Sequence, residues 1–422
     1  MAALRIAMLT TFYPPHSFGG DAVGVQRLAR ALVRRGHEVT VIHDADSYRT
    51  LGGQPSEALS SADDPTIVPL KSRWPLMSNL LTQQLGMPVV HGGRISRIIE
   101  SGKFDIIWHN NASLVGGPGL LSLGRGLKVY EAHEHWLVCP MHVLWRYNRE
   151  LCDRRDCLRC TLSFRRPPQL WRYTGMLARH AREVDLFIAK SEFSRGKHRE
   201  FGFEPDMEVI PYFLPDLPAS REVAAHDRPY FLFVGRLEKI KGLQDAFPAF
   251  EQDTGADLLI LGDGEYAGEL RRLAGGNPRI RFLGRKPVDE LNAYYRGAIG
   301  LLVPSVCYET FGIILIESFR LGTPVLARRL GPFPEIVERS GGGVLFDDAT
   351  ELEEGMRRMR GDGKLRSRMA KSARRGFDAF WREDRVLAAY GAALARAARK
   401  SGNTGLAGRL EAGVFEDGGK EV

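Results

Sequence analysis

Short, densely apolar runs alternate with amphipathic stretches along most of the chain, and this alternation limits the fold more than any other feature. Runs of four to six apolar residues bounded by turn residues read as strands buried on both faces. The stretches between them carry apolar residues three and four apart and read as helices that cover those strands. Strand, helix and strand in succession build a parallel, doubly wound α/β sheet. Strands are expected at residues 4–9, 38–43, 66–70, 105–108, 128–132, 186–189 and 208–211. A Pro-rich, weakly patterned segment follows, and a second series then begins at 230–234, 257–261, 280–283, 298–303, 324–327 and 343–346. Two sheets joined by a linker fit a chain of 422 residues, enough for two domains of about 200 residues each. Residues 1–214 form the first domain, 215–228 the linker and 229–378 the second domain. The Gly-rich tail, 401–422, is poor in apolar residues and is expected to be disordered.

Composition excludes several classes. Apolar content of 44% and charged content of 26% belong to a soluble globular protein. No apolar run approaches the roughly 18 residues that span a bilayer. The opening MAALRIAMLTTFYPP is too short and too quickly broken for a signal peptide and reads as a first buried strand, so a cytoplasmic protein is expected. The net charge of +8 fits a polyanionic ligand or an anionic surface. No nucleic-acid-binding signature accompanies it, so no nucleic-acid partner is expected.

Three loops at strand ends carry the chemistry. After the first strand, Gly19-Gly20 opens a helix, and adjacent glycines there allow a backbone to approach a phosphate. A turn that merely needs glycine explains the pair equally well. After the strand at 230–234 comes Gly235-Arg236-Leu237-Glu238-Lys239-Ile240-Lys241-Gly242. Arg236 can hold a diphosphate in a bidentate way and Lys241 as a point charge, although an ordinary basic loop has a similar composition. After the strand at 298–303, Glu309 sits in a Gly-containing turn and Glu317 inside the helix that follows. Eight helical steps of about 100° leave two such carboxylates roughly 80° apart, so they suit different parts of one elongated ligand.

Gly19-Gly20, G-R-L-x-x-x-K-G, Gly262-Asp263-Gly264, the Glu309/Glu317 pair and Gly322-Thr323-Pro324-Val325 occur in this order. Together they resemble the retaining nucleotide-sugar glycosyltransferases of family 4, in a bacterial-type group with a Cys-rich insertion in the N-terminal domain. The resemblance implies the GT-B fold, two Rossmann-like domains facing a cleft, and a helix at 379–400 that returns to the first domain. It implies that Arg236 and Lys241 bind the donor diphosphate and that Glu309 faces the donor sugar. The Thr310, Phe311, Gly312 and Ile313 backbone forms the turn beside it, and Glu317 holds the nucleoside ribose. Gly20 closes on the phosphates, and His133 lies near the reacting sugar. The donor is a nucleoside diphosphate sugar, and the acceptor a glycan, a lipid-linked or a small-molecule hydroxyl. No cofactor is required for catalysis. An epimerase on the same fold is the enzymatic rival. A non-catalytic membrane- or partner-binding protein with a vestigial donor pocket is the other. Two departures stand out. Gly331-Pro332-Phe333 replaces a Gly-Gly pair common in the family, and Asp44-Ala45-Asp46 mimics the metal-binding D-x-D of the unrelated GT-A fold.

Four of the five cysteines, Cys139, Cys152, Cys157 and Cys160, fall within 22 residues. In a reducing compartment that spacing suits a structural zinc site or a set of packed thiols. Between Arg146 and Arg182 stand ten Arg against three acidic residues, interleaved with Phe164, Leu170, Trp171, Tyr173, Met176 and Leu177. The stretch 164–183 is therefore expected to make a peripheral membrane contact or an Arg-rich surface helix.

Overall fold

A computed structural model describes residues 3–54, 61–217, 222–251, 255–413 and 415. The chain divides into two compact units, Met1–Tyr212 with Asp384–Val422, and Phe213–Glu383.

The first unit is built on a seven-stranded parallel sheet. Its strands are β1 (Arg5–Thr10), β2 (Glu38–Asp44), β3 (Thr66–Leu70), β4 (Ile106–His109), β5 (Leu127–Ala132), β8 (Leu186–Ala189) and β9 (Met207–Val209). Their spatial order is β3-β2-β1-β4-β5-β8-β9. The two remaining strands, β6 (Trp145–Arg146) and β7 (Glu150–Leu151), form a separate antiparallel hairpin inside the β5–β8 connection. Helices α1 (Gly20–Arg34), α2 (Ala45–Thr50), α3 (Pro75–Leu85) and α4 (Gly92–Gly102) connect the first strands. They are followed by α5 (Cys157–Ser163), α6 (Met176–Ala181) and α7 (Glu192–Glu200). β1 reads RIAMLT with every residue after Arg5 buried, as a central parallel strand requires.

The second unit has a six-stranded parallel sheet in the order β12-β11-β10-β13-β14-β15. These are β10 (Tyr230–Val234), β11 (Asp257–Leu261), β12 (Ile280–Gly284), β13 (Gly300–Val303), β14 (Val325–Arg328) and β15 (Gly343–Phe346). Helices α8 (Ala267–Leu273), α9 (Val288–Gly297), α10 (Ile313–Arg320), α11 (Phe333–Ser340), α12 (Ala349–Gly361) and α13 (Gly363–Phe380) cover it. Its core runs through Phe231, Phe233, Leu258, Ile260, Leu302, Leu326 and Met356, all 2% exposed or less. In both sheets the chain winds outward from its first strand, then reverses past it. The switch points lie between β1 and β4 and between β10 and β13, and the crevice beyond the strand ends there is where such sheets bind ligands.

Every strand of the two sheets lies within two residues of its expected position, and the doubly wound α/β architecture holds in both units. The tail is a correction. After α14 (Glu383–Lys400), residues Thr404–Glu411 form helix α15, capped by Asn403, whose side chain accepts from the Leu406 amide. Leu406, Leu410 and Phe415 are buried, and Arg409 pairs with Asp105 at 2.8 Å. Residues 414 and 416–422 lie outside the described set, as do 55–60 between β2 and β3 and 218–221 of the linker. The linker remainder and Trp381 pack in the second unit, where the Leu214 amide donates to the Trp381 carbonyl at 3.1 Å. The chain rejoins the first unit from Asp384, five residues later than the resemblance implied.

Candidate functional site

In the second unit the loops after β10 and β13 flank the switch point. The β10 loop is held close by glycines. Gly242 has φ of 65°, and a Cβ on it would overlap the Pro304 carbonyl. The Val306 amide donates to the Ile240 carbonyl at 3.0 Å and stitches the two loops together. On its other side, the Leu237 amide donates to the Asp263 carbonyl at 3.0 Å, and a Cβ on Gly264 would overlap the Leu237 backbone. Glycine is required here because main chain touches main chain.

This stitching brings Lys241 and Glu309 together. Lys241 Nζ lies 2.6 Å from Glu309 Oε1, and Ser305 Oγ donates to the same oxygen at 3.4 Å. Burial alone would depress the Lys241 ammonium, but the Glu309 carboxylate overrides it and holds the pKa above its ordinary value. Cys307, between them in sequence, is buried, and burial with the Glu309 charge pushes its thiol up to about 12. Arg236 is half-exposed and pairs with Glu238 at 2.9 Å. Glu238 is a residue that the sequence did not single out. Both cations expected at a diphosphate are thus paired with carboxylates, and an anionic ligand would have to exchange those partners.

Glu317 lies on α10, where its Oε2 accepts from the Tyr295 hydroxyl at 3.3 Å. Gly312 precedes α10 with φ of 127°, and a Cβ there would stand 2.9 Å from the Phe333 ring. The turn at Thr310, Phe311, Gly312 and Ile313 is therefore locked against α11, with Phe311 and Phe333 both buried. The residues Arg236, Lys241, Glu309 and Glu317 belong to β10 and β13 loops and to α10, all in one unit. A cavity of about 450 Å³ lined by Phe231, Pro248, Glu251, Glu353 and Arg357 shares none of them.

His133 and Gly20 belong to the first unit. Gly20 is the exposed first residue of α1. His133 follows β5 and is buried, with Nδ1 2.6 Å from the Tyr212 hydroxyl and Nε2 2.9 Å from Asn110 Oδ1. An amide oxygen only accepts, so Nε2 carries the proton and Nδ1 accepts from Tyr212. Burial lowers the His133 pKa to about 4, leaving it neutral near pH 7. Behind it, Glu131 accepts from Trp108 Nε1 at 2.8 Å and from Tyr390 on α14 at 2.6 Å, and it forms an ion pair with Lys190. Burial opposes ionisation of Glu131, yet the Lys190 ammonium prevails and holds the carboxyl below its ordinary range. A Cβ on Gly24 would stand 2.5 Å from the Tyr212 ring, so α1 also leans on this network. Its members come from six sequence segments, and no local motif announces them.

Asp44, Asp46 and His91 are buried, with one ligand atom from each lying within 4.8 Å of the others. Their oxygens are committed to folding. Asp44 caps α2 through the Asp46 and Ser47 amides at 2.9 and 3.0 Å, and Asp46 accepts from the Ser72 amide at 2.7 Å. The D-x-D is therefore accounted for as a helix cap. The four cysteines of the insertion are free thiols, and no three of their sulfurs lie within 4.8 Å of one another. The stretch 164–183 is not one helix, since a 3₁₀ turn at Leu170–Tyr173 and the six-residue α6 break it, and Trp171 is buried. Among the described residues, no helix is long and apolar enough to cross a membrane.

Known proteins resemble the chain along both units. Residues 18–214 match the model of "Glycosyltransferase Family 4", and residues 219–376 match that of "Glycosyl transferases group 1". An uncharacterized glycosyltransferase of Methanocaldococcus jannaschii is 26% identical over 367 residues, covering 81% of this chain and 84% of its own. Among solved structures, sucrose-phosphate synthase from Thermosynechococcus elongatus matches with a TM-score of 0.68 at 21% identity, over 94% of this chain and 99% of that one. An Anabaena protein, HepE, solved in complex with UDP-glucose, matches with a TM-score of 0.63 at 18% identity, over 97% and 100%. With family models on both halves and two Rossmann-like parallel-sheet domains, the chain belongs to the family 4 glycosyltransferases of the GT-B fold.

Proposed function

We propose that this glycosyltransferase moves a hexose-type sugar, with retention of anomeric configuration, from a nucleoside diphosphate sugar to an acceptor hydroxyl. The observation that supports the reading is the Lys241–Glu309 pair, formed where the β10 and β13 loops meet beside the switch point, with Arg236 on the first loop and Glu317 on the helix after the second. Departure of the leaving group places negative charge on the diphosphate, and Arg236 and Lys241 supply fixed positive charge for it without a metal. Glu309 faces the sugar, where an oxocarbenium-like transition state develops positive charge. Glu317 holds the ribose. Gly20 and His133 belong to the first unit, where neutral His133 holds its Nε2 proton toward Asn110. The UDP-glucose complex of the Anabaena neighbour makes uridine the first base to try. No observation favours an epimerase, for which no extra acid–base pair stands out in the sequence, and the presence of Arg236, Lys241 and Glu309 speaks against a vestigial pocket. The test is product analysis by NMR with the donor that binds. An axial donor bond should give an axial product bond, and an inverted product would refute the retaining mechanism.

A second observation favours a lipid-linked acceptor over a free one. Helix α3 is inverted, burying Ser78 and Thr82 while exposing Leu76, Met77 and Leu80, and it carries no charged residue. Trp74, Met87 and Val89 extend the exposed apolar surface, and the Leu170–Tyr173 turn packs against α3 with Leu170 and Tyr173 also exposed. Exposed Lys71, Arg73, Arg165 and Arg166 belong to the same segments. This combination suits shallow insertion into an anionic bilayer surface. Sedimentation with anionic but not neutral liposomes, reduced by Leu76→Glu with Leu80→Glu, is expected; equal sedimentation with and without liposomes would remove it.

A further inference from the structure

The geometry points to a structural zinc site in the β5–β8 insertion, formed by Cys139, Cys152, Cys157 and Cys160. This proposal does not depend on the transferase reading. The insertion from His133 to Asp185 has little regular structure of its own: a hairpin with two residues per strand and short helical turns. Yet its backbone is held in unfavourable conformations. His142, Leu144, Tyr147 and Asn148 all have φ between 48° and 71°, the left-handed region that side chains with a Cβ disfavour. Each such residue costs about 1–2 kcal/mol and persists only where the surroundings fix it. Leu144 is the least suited of the four, and it is 1% exposed.

The cysteines lie where a tie would act. The backbone amides of Met141 and Leu144 point at Cys139 Sγ, the turn expected of a metal knuckle. The Cys152 amide donates to the Leu144 carbonyl at 2.9 Å, which sets Cys152 at the foot of the hairpin. The Tyr147 amide, at the hairpin tip, approaches Cys160 Sγ at 3.4 Å. Cys157 and Cys160 stand three apart in α5, hence on one face of the helix. Cys152 lies close enough to the other three thiols to feel each of them. Four of the insertion's five non-glycine residues with positive φ therefore fall between the first and second ligands, the fifth being Arg165 beyond Cys160, and amide-to-sulfur contacts bracket the four.

The chemistry fits zinc. Four thiols binding one Zn²⁺ release four protons and leave a tetrathiolate of charge −2. Arg172 lies beside Cys139 and Cys157 and donates to the Trp136 and Leu137 carbonyls and to Gln169, with no carboxylate partner among the described residues. Its guanidinium is the counter-charge such a cluster needs. Zn–S bonds of about 2.3 Å require the sulfurs to draw in to a tetrahedral spacing, and Cys152 and Cys157, which are only partly buried, are the two with room to move.

The experiment is elemental analysis of the full chain expressed with zinc, with cobalt exchange of the same protein. One zinc per chain is expected, released by mercurial titration of four thiols, and the Co²⁺ form should show thiolate charge-transfer and tetrahedral d–d absorption. Cys152→Ser and Cys160→Ser should retain less than about a tenth of the metal, whereas Cys307→Ser should retain all of it. The cobalt spectrum reads ligation in the wild-type chain, so a variant that fails to fold does not blunt the test. Wild-type protein without zinc and without a tetrahedral cobalt spectrum, metal content unchanged in Cys160→Ser, or an iron–sulfur absorption in place of zinc would each overturn the proposal.

Discussion

Lys241 and Glu309 show how much of the proposed donor site rests on a single contact. A cation 2.6 Å from a carboxylate is already satisfied, so its value to a diphosphate is the difference between two partners. Charge-assisted hydrogen bonds are worth about 1.5–3 kcal/mol, so Lys241→Ala should weaken nucleoside diphosphate binding roughly ten- to hundredfold in calorimetry while leaving the fold intact. Glu309→Gln removes the carboxylate that competes for Lys241, so it should tighten diphosphate binding while depressing transfer, which separates binding from chemistry. Lys190→Met poses the opposite case. It strands the buried Glu131 carboxylate in the first unit, and removing one partner of a buried pair costs about 3–5 kcal/mol. A chemical denaturation midpoint unchanged by that substitution would contradict the ion-pair assignment.

At the scale of elements, what the sequence revealed follows from burial. Parallel strands covered on both faces read as unbroken apolar runs, so β10, β11, β8 and β15 stand at their expected positions. The β6/β7 hairpin has two residues in each strand and leaves no periodic trace. Helix α15 was hidden because Gly405 and Gly408 dilute a segment whose Leu406 and Leu410 nonetheless face the core together, one helical turn apart. Leu410→Ala should cost about 2–4 kcal/mol of first-unit stability, where a disordered tail would show no change. In the candidate site, Arg236, Lys241, Glu309 and Glu317 could be named because ordered motifs follow the ends of β10 and β13. Glu238 was missed because an acid inside a basic loop gives no signal, and Asn110, Tyr212 and Lys190 because only the fold gathers them.

The whole molecule carries an unequal distribution of histidine. Ten of the eleven lie in the first unit. Burial lowers His43 and His109 to about 3 and His133 and His198 to about 4, so all four fold as neutral imidazoles. The unfolded chain binds these protons near pH 6.5, and the folded chain only near pH 3–4. Stability contributed by these groups is therefore complete above about pH 6.5 and is lost as pH falls toward 4, each group costing at most about 1.4 kcal/mol per pH unit. Calorimetry between pH 7.5 and 5 should show the first unit's transition falling faster than the second's.

Donor binding by the second unit is the step on which the proposed transfer depends. Titration of the full chain with UDP, GDP, ADP and dTDP, and with the matching sugar nucleotides, tests this directly when wild type is compared with Arg236→Ala and Lys241→Ala. The account predicts that one diphosphate series binds wild type, unaffected by chelators, and binds both variants at least roughly tenfold more weakly. Binding of none of them by folded wild-type protein, or equal binding by the variants, would contradict it.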